Sequence, residues 1–87
     1  MGYIFNQSDQ NDAVRYLDRT ISLLREGRLK IDEASQKLLY ASNRMGSGAY
    51  ADHCNTLYYW LNNIVSELNT IEDRIFFLKA EYSYKRR

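Results

Sequence analysis

Residues 41–54 read ASNRMGSGAYADHC and sit at the middle of an 87-residue chain. Gly46 and Gly48, two of its four glycines, lie one residue apart here, and the chain has no proline. Glycine reaches backbone angles that other residues avoid, so the pair marks a point where the chain can reverse direction. What flanks the pair decides whether it joins helices or strands.

Both flanks carry helical periodicity. Upstream, Val14, Leu17, Ile21 and Leu24 alternate at spacings of three and four. Leu17, Leu24, Ile31, Leu38 and Met45 then recur every seventh residue, in phase across Gly27. A break at Gly27 would reset that phase, so one helix is expected over about residues 9–44. Gly27, Ala34 and Ala41 lie beside the apolar stripe and suit close approach of another helix. Downstream, Tyr50, Cys54, Leu57, Leu61, Ile64, Leu68, Ile71, Ile75 and Leu78 keep a 3.5-residue repeat, the mark of a left-handed coiled-coil seam. A second helix is expected over about residues 49–84. The stretch 45–48 is then an elbow, with the Ser47 hydroxyl available to cap the second helix. The expected fold is all-α: one domain over 1–87, a two-helix antiparallel hairpin in which Leu24, Ile31 and Leu38 face Leu57, Ile64 or Leu68.

Such a hairpin has a thin core. Tyr16, Leu23, Leu29 and Leu39 on the first helix fall off the seam. So do Tyr58, Tyr59, Trp60, Val65, Phe76 and Phe77 on the second. Aromatic side chains bring large rigid area at low entropic cost and dominate protein–protein hot spots. Tyr58, Tyr59, Trp60, Phe76 and Phe77 are therefore the expected partner-binding residues. Association into a four-helix bundle, with a second copy or with another helical protein, is the expected consequence.

Composition narrows the remaining classes. Twelve basic and eleven acidic residues leave a formal charge of +1, with no bulk attraction for nucleic acid or anionic lipid. The basic residues of the first helix (Arg15, Arg19, Arg25, Arg28, Lys30) are interleaved with Asp12, Asp18, Glu26 and Asp32, which dilutes the clustered charge that counterion release requires. The single cysteine, Cys54, excludes an internal disulfide framework. Its neighbour His53 points about 100° away on a helix, so the two do not form a nucleophile–base pair. Asp52 and His53 are too few for a metal site, and the GSG stretch lacks the strand and lysine of a phosphate-binding loop. Glu72, Asp73 and Glu81 read as solvated charges, and Glu26 with Lys30 as a helical i,i+4 pair. No enzyme activity and no cofactor are expected. Neither a cleaved signal peptide nor a membrane-inserted segment is expected, which points to a cytoplasmic protein or one secreted without such a signal.

The elbow also carries a resemblance. Met45-Gly46-Ser47-Gly48-Ala49-Tyr50 is similar to the elbow of the small WXG-type (Esx-like) helical hairpins of type VII secretion systems. Met45 stands at the tryptophan position and Ser47 at the glycine position, while Ala49-Tyr50 match the small-aromatic pair. With methionine in place of tryptophan, the chain looks more like the divergent small partners of LXG-type toxins in Gram-positive bacteria. That resemblance implies a targeting factor that binds the toxin's helical N-terminal domain and aids its export. It also implies an export signal, an aromatic followed four residues later by an acid. Phe77 and Glu81 fit it late in the second helix, whereas Phe5 and Asp9 share the spacing at the other end. A generic hairpin adaptor or homo-oligomeric scaffold is the alternative.

Overall fold

The structure, a computed structural model, describes residues 7–85, with side chains from Asn11 to Tyr84. Helix α1 spans Gln7–Met45 and helix α2 spans Ala49–Lys85. They fold back on each other as an antiparallel hairpin, and no strand occurs among the described residues. Their ends lie within two residues of the expected ones. The molecule measures 67 × 20 × 15 Å, two helices wide and one deep.

The elbow uses both glycines. Gly46 has φ 84° and Gly48 φ 115°, both in the region that disfavours a Cβ. The Gly46 amide donates to the Ser42 carbonyl at 3.1 Å, closing α1 with a left-handed cap. The Gly48 carbonyl accepts the Asp52 amide at 3.0 Å, which makes Gly48 the residue that opens α2. Ser47 therefore stands one position before the cap, and its hydroxyl bonds nothing among the described residues. Arg44 in the last turn of α1 and Asp52 in the first turn of α2 oppose the helix dipoles.

Inward-facing residues keep a three–four rhythm on both helices. On α1 they are Val14, Leu17, Ile21, Leu24, Arg28, Ile31, Ser35, Leu38 and Ser42. On α2 they are Ala51, Cys54, Tyr58, Leu61, Val65, Leu68, Glu72, Ile75, Lys79 and Tyr82. The α1 seam matches expectation, apart from Met45, which is exposed at the elbow. The α2 seam does not. Cys54, Leu61, Leu68 and Ile75 lie in it, but Tyr50, Ile64, Ile71 and Leu78 are exposed, and Leu57 sits half-buried at its margin. Relative to the purely apolar line, α2 is rolled by about 50°, half the angle between successive residues of a coiled coil.

Polar groups explain the roll. Arg28 occupies a seam position of α1, where an unpaired guanidinium would be costly. Turning Ile71 toward it would supply no acceptor; turning Glu72 does. The Glu72 carboxylate, only 7% exposed, accepts Arg25 Nε at 2.6 Å and Arg28 Nη1 at 2.9 Å. Arg28 also donates to the Asn69 side-chain oxygen. Two turns further from the elbow, Lys79 pairs with Asp18 at 2.5 Å. Glu72 is thus a seam residue rather than a solvated charge, whereas Asp73 and Glu81 are exposed as expected. Glu26 and Lys30 form no ion pair among the described residues.

Near the elbow the seam is lined by small residues. Ser35 is 1% exposed and bonds the Asp32 carbonyl at 2.8 Å. The Ser42 hydroxyl donates across the hairpin to the Ala51 carbonyl at 3.2 Å. Both buried hydroxyls are satisfied, so their polarity costs little.

Two predictions follow from this packing. Glu72→Ala removes the acceptor shared by two guanidiniums and should lower stability in urea by roughly 1–3 kcal/mol, a range tempered by the exposure of Arg25. Asp73→Ala, one residue away and exposed, should change it by less than about 0.5 kcal/mol. Equal effects would contradict the roll. At the elbow, Gly46→Ala and Gly48→Ala should each cost about 1–2 kcal/mol for the left-handed backbone. Gly27→Ala should instead stabilise by about 1 kcal/mol, since a Cβ there meets nothing within 4 Å. Thermal unfolding reads all three.

Candidate partner-binding face

The roll of α2 gives the hairpin two unlike sides. On one side, Arg25 lies 5.6 Å from the centre of the Phe76 ring, and the Asp18–Lys79 and Arg28–Asn69 ties cross between the helices. Asn55, Asn62 and Asn69 repeat along α2 there. This side is polar and internally paired.

The other side is apolar and open. Its α2 edge is Tyr50, Leu57, Ile64, Ile71 and Leu78, each immediately preceding an inward-facing residue. Tyr50 is 83% exposed and Ile71 46%. Its α1 edge is Ala13, Thr20, Gly27, Ala34 and Ala41, which likewise precede seam residues. Ala13 and Leu78 line one cleft of about 240 Å³ with Leu17 and Tyr82, which places the two edges on the same side. The face is therefore a ridge of large side chains beside a furrow of small ones. Gly27 does not serve close packing of α2, because a Cβ built there would touch nothing. Exposed Leu23 and Trp60 extend the apolar surface beyond each edge. Contiguous apolar surface of this kind marks interaction sites in soluble proteins.

The expected partner-binding aromatics do not share this face. Tyr58 packs in the seam and meets the Tyr59 ring edge-on at 5.5 Å. Tyr59 points outward, Trp60 borders the ridge, Phe76 lies beneath Arg25 on the polar side, and Phe77 projects to solvent. Successive residues on a helix point about 100° apart, so neighbours in sequence are dispersed around it. Sequence reasoning assigned Tyr50, Ile64, Ile71 and Leu78 to the internal seam and so missed them as open surface. A signal was present: Glu72 and Lys79 share a seven-residue line, as do Arg25 and Asp18 on the first helix.

Phe77 and Glu81 do come together. They line one shallow depression of about 570 Å³ with Thr70, Asp73, Arg74 and Leu78, all from α2. Phe77 is 75% exposed. Phe5, of the alternative pair, lies outside the described residues, as does the Asp9 side chain.

At the elbow, Met45, Gly46, Ser47, Gly48, Ala49 and Tyr50 are all exposed. Cys54, half-buried, places its sulfur 3.8 Å from the Met45 sulfur. His53 points to solvent. Among the described residues no group of three or more potential metal ligands converges, and no helix is long and apolar enough to cross a membrane. Arg25 and Arg28 are engaged by Glu72, and Arg15 by Asp12, which further limits the free basic surface of α1. No family model, curated protein or solved structure matches this chain.

Because Phe77 and Glu81 project from the finished hairpin, their joint replacement by alanine should cost less than about 0.5 kcal/mol per site. Equilibrium unfolding of the double variant measures this. A loss comparable to that of Glu72→Ala would give the pair a structural role.

Proposed function

We propose that this chain is a non-enzymatic helical partner and targeting factor of a type VII secretion system in a Gram-positive bacterium. In this reading it binds the helical N-terminal domain of an LXG-type toxin in the cytoplasm and aids the toxin's export. The observation that supports it best is the uncovered ridge of Tyr50, Leu57, Ile64, Ile71 and Leu78, a stripe of the width and spacing that accepts another helix. The elbow resemblance and the shared depression of Phe77 and Glu81 supply the secretion part of the proposal. A hairpin adaptor or homo-oligomeric scaffold is the second reading, and the small-beside-large arrangement of the open face favours it.

The test is a search of the neighbouring genes for an LXG-type toxin, followed by co-expression with it, co-purification and a secretion assay. Ile64→Asp with Ile71→Asp should abolish co-purification, because burying two carboxylates in an apolar interface is strongly unfavourable. Phe77→Ala with Glu81→Ala should leave the complex intact and abolish export. Phe5→Ala with Asp9→Ala should leave both unchanged. The absence of such a gene, or a toxin exported normally when this chain is deleted, would overturn the secretion reading in favour of the scaffold.

A further inference from the structure

The open face has a shape that fits itself. The ties Ser42–Ala51, Arg28–Asn69 and Asp18–Lys79 set which levels of the two helices face each other. By the Arg28–Asn69 and Asp18–Lys79 ties, Ile64 lies about level with Ala34, and Ile71 about level with Gly27. Each large residue of the ridge therefore stands about level with a small residue of the furrow. A two-fold axis along the hairpin carries α2 of one copy over α1 of the other without changing levels. The ridge residues then meet small residues of the opposite furrow, the large-against-small arrangement that fills a bundle core.

We infer that this face closes on the same face of a second copy, forming a four-helix bundle with both elbows at one end. The inference does not rest on the secretion reading, since a paired hairpin can be an export partner or a scaffold. The opposed arrangement, with the elbows at opposite ends, sets furrow on furrow and ridge on ridge. It leaves space unfilled along α1 while large side chains collide along α2.

Area and charge agree with a second copy. The chain exposes 7075 Å², whereas a compact monomer of its mass exposes about 5,400 Å². The excess, on the order of 1,500 Å² per copy, is of the size each partner buries in an obligate homodimer, roughly 1,000–2,500 Å². At the rim, the proposed pairing brings Lys30 of one copy level with Glu67 of the other; neither has an ion-pair partner among the described residues. It also brings Lys37, whose ammonium lies 5.7 Å from the centre of its own Tyr40 ring, level with Trp60 of the other copy.

Sedimentation equilibrium on the full chain tests the association, and the expected mass is twice 10.3 kDa. Gly27→Leu and Ala34→Leu place bulk in the furrow, at an open position and an exposed one, and should leave the helicity of the hairpin unchanged. Each should weaken the dimer by roughly 10–100-fold through overpacking, whereas Gly27→Ala, which matches the neighbouring alanines, should not. Spin labels at Ser47→Cys in a Cys54→Ala background read the orientation. Elbows at one end put the labels about 10–20 Å apart, one to two interhelical spacings. Elbows at opposite ends put them about 55 Å apart, the length of α2. A chain that stays monomeric at the highest soluble concentration, leucine variants that dimerise like the wild type, or the long label distance would each overturn the proposal.

Discussion

The Glu72 carboxylate, held between Arg25 and Arg28 inside the hairpin, sets the roll of α2 on which the rest of the surface depends. An apolar line and a mixed line run side by side along this helix, and hydrophobic burial alone would choose the apolar one. The guanidinium of Arg28 at a seam position reverses the choice, because an unpaired charge there would cost more than the half-burial of an isoleucine recovers. With Glu72 turned inward, Lys79 follows toward Asp18, and Ile64, Ile71 and Leu78 are carried outward together.

This division gives the hairpin one finished side and one unfinished side. Arg25 over Phe76 and the crossing Asp18–Lys79 pair close the polar side with contacts made within the chain. On the apolar side, a strict two-line seam is joined by a third line of large residues on α2. Three apolar lines per heptad are the pattern of a helix in a bundle, whereas two suffice for a two-stranded coil. One layer of two helices cannot cover the third line.

The furrow on α1 gains meaning only beside that ridge. Ala13, Gly27, Ala34 and Ala41 contribute little burial to the hairpin, and helix α2 does not press against Gly27. Small residues that fail to bring α2 closer keep a channel open next to large residues that need cover. The proposed toxin-binding helix and the proposed second copy draw on the same ridge, so they would compete for it. The Phe77–Glu81 depression adjoins the ridge and shares Leu78 with it.

Read alone, the sequence specifies the number of helices, their ends to within two residues and the place of the reversal. Those features are local: heptad phase persists across Gly27, and Gly46 and Gly48 supply the only adjacent backbone freedom near the midpoint. It also determined the α1 seam, where the apolar line has no strong competitor. The face that α2 turns inward depends on the pairing of the two helices. Both lines of α2 repeat every seven residues, so periodicity cannot rank them. The ranking comes from Arg28 and Asp18, which lie far away in sequence and come opposite Glu72 and Lys79 only once the chain has folded back. For the same reason the aromatics that cluster in sequence around Trp60 are dispersed in space. The open face is built from residues whose one-dimensional pattern reads as core, because burial is a property of the pair of helices and not of either one.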